Sequence, residues 1–165
     1  IVPAVEEERT ESMYPSARRL VRNIRSNGST PVFFLTWGRR DGFAEVGYYN
    51  YEPIQTAVIE GYTELADELD VTLAPVGIAW RTVRQQHPGI NLYDEEGSRP
   101  SRRGSYLSAS VFYAVLFQQS PEGLDYDAGL PEEEVRILQR VAAETVLTDL
   151  ERWRIAPPTP TADSE

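Results

Sequence analysis

The chain has 165 residues, no cysteine and a net charge of −10, its 16 basic residues all arginine against 26 carboxylates. This is the length of one domain, and the lack of cysteine excludes disulfides, thiolate metal sites and a cysteine nucleophile. The acidic balance excludes nucleic acid as a partner, because phosphate binding rests on clustered positive charge, and no apolar run approaches the roughly 18 residues of a membrane span.

From about Glu8 to Asn27 the apolar residues Tyr14, Ala17, Leu20, Val21 and Ile24 recur at helical spacing, with arginines on the other faces. Pro15 suits a first-turn position and Asn27-Gly28 a helix end. The run Pro31-Val-Phe-Phe-Leu-Thr36 reads as a strand buried on both faces of a parallel sheet. Its carboxyl end leads into the loop Trp37-Gly-Arg-Arg-Asp-Gly42. A helix is predicted from about Tyr51 to Leu69, with Ile54, Ala57, Val58, Tyr62, Leu65 and Leu69 inward. A second strand follows at Val71-Thr-Leu-Ala74, then a helix at Ile78 to Gln86. Residues 87 to 103 hold the turn signals His-Pro-Gly, Glu-Gly-Ser and Arg-Pro-Ser and read as a loop. Ser105 to Phe117 is apolar on nearly every side and is expected as a helix packed deep in the molecule. Pro131 opens a last helix with glutamates in its first turn, and the packed domain is expected over 1–154, with 155–165 a Pro-rich disordered tail.

Alternating strands and helices mark the α/β class. Only two strands are legible, and two parallel strands leave edges unpaired and faces uncovered. The expectation is therefore an incomplete parallel sheet, finished by polypeptide outside this sequence. The start at Ile1 rather than methionine agrees with that expectation.

Three segments carry a family likeness: Pro31-Val-Phe-Phe-Leu-Thr-Trp-Gly38, Ala74-Pro-Val-Gly-Ile-Ala-Trp80, and Leu92 to Leu107. In this order and spacing they resemble the SGNH/GDSL hydrolases, from about Glu8 to Leu150, as the carboxyl-terminal part of such a domain. The resemblance implies a flavodoxin-like three-layer α/β/α fold without its amino-terminal strands, and ester hydrolysis without a cofactor. It also leans weakly to a place outside the cytoplasm. The family's serine lies in Gly-Asp-Ser, which is absent here, as is any Gly-x-Ser-x-Gly elbow. The family's Asp-x-x-His falls on Glu96-Gly-Ser-Arg99, ahead of Pro100-Ser101 and Gly104-Ser-Tyr-Leu107. The likeness thus puts Glu96 where an aspartate orients the base and Arg99 where the base belongs. A guanidinium stays charged and cannot serve as general base near neutral pH. No catalytic residue is assigned.

Other readings follow from the residues alone. His87, the only imidazole, precedes Pro88-Gly89 at a helix end and reads as a surface histidine. Asp94, Glu95 and Glu96 match no calcium-loop spacing and sit beside Arg99, Arg102 and Arg103, so no metal site is assigned. Ser101 or Ser105 reads as a helix cap. Trp37, Arg39 and Arg40 follow a strand's carboxyl end, where open α/β sheets take ligands. With Arg99 and Arg102 they are the binding candidates, able to hold an anionic group or a neighbouring protein. Two functions remain open: a non-catalytic SGNH-like subunit of a larger assembly, or the carboxyl-terminal part of an esterase or deacetylase whose Gly-Asp-Ser segment lies upstream or on another chain. The partner expected is a polypeptide that completes the sheet or covers an apolar face, with association to a membrane complex open.

Overall fold

The computed structural model describes residues 6–156. The chain is helical from its first described residue, earlier than the expected start at Glu8 or Pro15. A turn, α1 (Glu6–Glu8), runs into a π-helical stretch (Arg9–Met13) and then α2 (Tyr14–Ser26). Proline lacks an N–H and its ring crowds the carbonyl four residues back. Here the widened turn passes the bond on, and the Tyr14 N–H donates to the Arg9 carbonyl. Gly28, at φ +73°, ends the helix, and the Ser29 N–H closes back on the Ile24 carbonyl. Tyr14 and Val21 face inward, but Leu20, expected on the same face, is 57% exposed.

The strands β1 (Val32–Phe34) and β2 (Thr72–Ala74) pair in parallel, with Val32, Phe33 and Phe34 opposite Thr72, Leu73 and Ala74. The crossover between them is α3 (Tyr51–Leu69), as its spacing predicts. After β2 come α4 (Val76–Gln86), α5 (Arg102–Phe117) and α6 (Glu132–Leu147). Helix α5 packs most extensively on α6, α4 packs on both, and α3 and α5 both reach β2. The result is an α/β domain of α/β/α character, with one continuous core running from Leu35 and Ile54 through Trp80 and Leu107 to Leu138 and Ile155.

Three expectations are corrected. The strand predicted as buried on both faces is half-buried at Val32 and Phe33, with Phe34 39% exposed. Nothing among the described residues pairs with its far edge. Helix α5 is not enclosed: Leu116 and Phe117 at its carboxyl end are 59% and 62% exposed. The packed domain continues past residue 154, because Ile155 is buried in the core. That last segment covers the outer edge of β2, where the Leu73 N–H donates to the Trp153 carbonyl at 3.0 Å and the Thr72 hydroxyl to the Arg154 carbonyl at 2.7 Å. Among the described residues the sheet is therefore covered on one side by residues 153–154 and bare on the other. The rest of the predicted tail, 157–165, lies outside the described residues.

Candidate functional site

The carboxyl ends of β1 and β2 meet the loop before α5, and small residues let them do so. The Gly77 N–H donates to the Leu35 carbonyl at 2.8 Å, and a Cβ at this position would lie 2.0 Å from the Thr36 carbonyl oxygen. Only glycine lets α4 begin so close to the strand end. Gln55, fully buried on α3, accepts from the Gly38 N–H at 2.7 Å and donates to the Thr36 carbonyl, so both of these backbone groups have a partner at the bend.

Two binding candidates, Trp37 and Arg40, come together here. The Trp37 ring lies parallel to Trp80, with centroids 3.9 Å apart, and its Nε1 donates to the Ser98 carbonyl at 3.0 Å. Trp80 meets Tyr93 edge-on, and the Tyr93 hydroxyl donates to the Gly38 carbonyl at 2.8 Å. The Arg40 N–H donates to the Gly97 carbonyl at 2.8 Å, its guanidinium reaches the Asp94 and Glu95 carbonyls, and its Nε pairs with Asp41 at 3.0 Å. Trp37 and Arg40 thus brace the loop 93–100, which is also closed by a bridge between Tyr93 and Pro100.

Glu96 and Arg99 are both exposed on that loop. Asp94 turns inward, its carboxylate accepting from the Gly97 N–H at 3.1 Å. Among the described residues no three histidines or carboxylates gather where they could hold a metal ion. Ser101 caps α5, its hydroxyl accepting from the Gly104 N–H. Arg39 points away from the loop and lies over the Phe43 ring at 4.1 Å. Arg102, exposed on the first turn of α5, borders a separate apolar groove of about 380 Å³ with Tyr106, Tyr113 and Tyr126. His87 ends α4, outside the 93–100 loop. The five candidates therefore divide: Trp37 and Arg40 on the brace, Arg99 on the loop they brace, Arg39 and Arg102 each elsewhere.

Sequence reasoning missed Arg84, Tyr51 and Gln55. The Arg84 guanidinium lies 4.0 Å over the Tyr51 ring and 5.2 Å from that of Tyr93, and donates to the Arg40 carbonyl at 3.2 Å. Burial pushes the hydroxyls of Tyr51 and Tyr93 well above the usual phenol range, so both rings are neutral at ordinary pH. The contacts of Arg84 with Tyr51 and Arg40 join residues far apart in the sequence, and no local pattern marks them. The chemistry around the loop is that of a rigid platform. The charged side chains on the loop itself are Asp94, Glu95, Glu96 and Arg99.

No family model matches the chain, and no curated protein does. Among solved structures, the crystal structure of a DUF4886 family protein from Bacteroides uniformis ATCC 8492 superimposes with a TM-score of 0.75 at 17% identity. The alignment covers 88% of this chain and 58% of that one. At that identity the likeness is one of fold. The chain spans little more than half the length of that solved neighbour.

Proposed function

We propose that this chain is an SGNH-like module without catalytic function, serving as an interaction subunit whose sheet is completed by another strand. The observation that carries this reading is the bare edge of β1. It adjoins an apolar face in which Phe34 meets Phe112 at 5.2 Å, and Leu116 and Phe117 extend the exposed surface along α5. An unpaired strand edge beside exposed aromatic residues is a template for strand addition, in which main-chain hydrogen bonds supply affinity and side-chain pockets supply register. The loss of catalysis rests on position 99. In the family likeness it is the base, and here it is an exposed arginine, whose guanidinium is not a general base near neutral pH.

The test is an ester-hydrolysis assay on the purified chain, alone and in its native assembly, with p-nitrophenyl acetate. The expected outcome is no turnover above buffer in either form. Turnover by the assembly that disappears when Glu96 or Arg99 is changed would overturn the reading.

A second reading is favoured by the 58% coverage of the solved neighbour. In it, a further segment supplies both the missing strands and a serine. Turnover by the assembly that persists in Arg99→Ala and is lost on changing a serine of that segment would select this reading.

A further inference from the structure

The apolar groove beside α5 owes nothing to strand addition at β1, and its own hydroxyls are already bonded. The Tyr106 hydroxyl donates to the Tyr126 carbonyl at 2.8 Å and accepts from Gln139 Nε2 at 2.9 Å. The Tyr113 hydroxyl donates to Gln119 Oε1 at 3.2 Å, and the Ser110 hydroxyl to the Tyr106 carbonyl at 3.0 Å. What the groove presents is ring faces and methyl groups, from Tyr106, Tyr113, Tyr126, Ala109 and Ala128 over about 380 Å³. Tyr126 is 75% exposed, yet the bond from Tyr106 pins its backbone. An ordinary extended segment laid here would bring N–H groups to a wall of ring faces. A proline-rich one would not, since proline has no N–H.

The chain itself supplies such a segment. Residues 157–165, Pro-Pro-Thr-Pro-Thr-Ala-Asp-Ser-Glu, hold three prolines, two carboxylates and no arginine. The residue before them sits at the carboxyl end of α5, where Gln118 Nε2 donates to the Ala156 carbonyl at 2.6 Å. From there Phe117, 62% exposed and tilted on Tyr113 with ring centroids 5.0 Å apart, leads the apolar surface into the groove. Arg102 borders its far end. Its neighbour Arg103 is matched by Glu134 at 2.6 Å, but Arg102 has no carboxylate partner among the described residues. The lengths agree. From Phe117 to Arg102 the helix rises about 23 Å at 1.5 Å per residue. Nine residues of polyproline II, at about 3.1 Å each, span about 28 Å.

We propose that residues 157–165 of the same chain turn back along α5 and occupy this groove, with Pro157, Pro158 and Pro160 against the rings and the acidic end on Arg102. Aromatic-lined grooves take proline-rich segments because the extended conformation is set in advance and little entropy is lost on docking. Charge fixes the direction. Asp125 and Asp127 flank Tyr126, so Asp163 and Glu165 are repelled from the middle of the groove and drawn to the Arg102 end. An exposed ion pair contributes little, so the rings carry most of the affinity.

The chain has no cysteine, so a single nitroxide can be attached to the whole protein at Ala162→Cys and, separately, at Ser164→Cys. Nitrogen-resolved NMR at low protein concentration should then show the amides of Ser105, Ala109 and Tyr126 broadened, and those of Glu60 and Glu64 on α3 sharp. A mixture of nitroxide-bearing chain and separate nitrogen-labelled chain should show no broadening, because the contact is within one molecule. Tyr126→Ala should weaken docking by about two- to tenfold, and Arg102→Gln by about two- to fivefold. Pro157→Gly, Pro158→Gly and Pro160→Gly combined should weaken it by about tenfold or more. All of these side chains are exposed or lie outside the packed core, so the fold is kept. Broadening spread evenly over the surface, centred on the Val32–Phe34 edge, or equally strong in the mixture would each overturn the proposal. So would broadening unaltered by both Tyr126→Ala and the combined proline variant.

Discussion

A methyl group on residue 104 would sit 2.3 Å from the Leu92 carbonyl oxygen and 2.6 Å from the Trp80 ring. Gly104 is thus what allows α5 to start against the loop it follows, and it holds Trp80 in place beneath Trp37. Neither neighbour can yield easily, one being backbone and the other a fully buried indole. Overpacking of this kind costs up to about 3 kcal/mol and at times more. Gly104→Ala should therefore lower the urea midpoint by an amount of that order, while Gly89→Ala, where a Cβ meets nothing, should shift it far less. Unchanged stability in Gly104→Ala would mean that the loop and α5 are not packed as described. Gln55 makes the same point in polar form: its amide answers two backbone groups, which is why a polar side chain is buried there.

At the scale of elements, α2 is tied to α3 by polar contacts from an arginine-rich face. Arg18 forks onto Glu68 with two bonds of 2.6 Å, and the Tyr14 hydroxyl donates to Glu64 at 2.7 Å. Burial, and then the bond to Glu64, push the Tyr14 phenol up to about 12. The sign follows directly. Below the ordinary phenol value of about 10 both folded and unfolded chains hold the proton, and the contribution is fully present. Between about pH 10 and 12 the unfolded chain releases its proton first, so stability falls as pH rises through that window. Urea midpoints measured across it should drop steeply in the wild type and less steeply in Tyr14→Phe. Equal slopes would show that the phenol is not shifted. The buried hydroxyls of Tyr51 and Tyr93 act in the same direction, so some decline persists in the variant.

For the whole molecule, the asymmetry of the sheet is the governing feature. Backbone groups alternate sides along a strand. The Leu35 N–H donates to the Ala74 carbonyl, so the N–H groups of Val32 and Phe34 face the bare edge. Hydrogen exchange on the isolated chain should show the Phe34 amide exchanging at least about tenfold faster than that of Leu35. In an assembly that adds a strand, the Val32 and Phe34 amides should slow to match. Persistent fast exchange there in the native particle would place the partner, if one binds, on another face. The surface favours this edge over the acidic sides. Residues 41 to 80 hold eight carboxylates and no arginine, a composition suited to remaining in water.

Much of the architecture was legible in the amino-acid order. The α3 boundaries, the two parallel strands, the Asn27-Gly28 stop and the Ser101 cap all follow from local rules, since periodicity, capping and turn chemistry act over a few residues. What the chain order could not disclose was which apolar residues stay uncovered and which charges go unmatched. Phe34, Leu116 and Phe117 read as core because hydrophobicity is a property of the residue, whereas burial depends on what packs against it. Arg40 read as a free cation until the fold turned it onto the 94–97 loop, and Arg84 attracted no notice until Tyr51, from a different helix, was laid beneath it. Such pairings span tens of residues, and only the tertiary structure determines them.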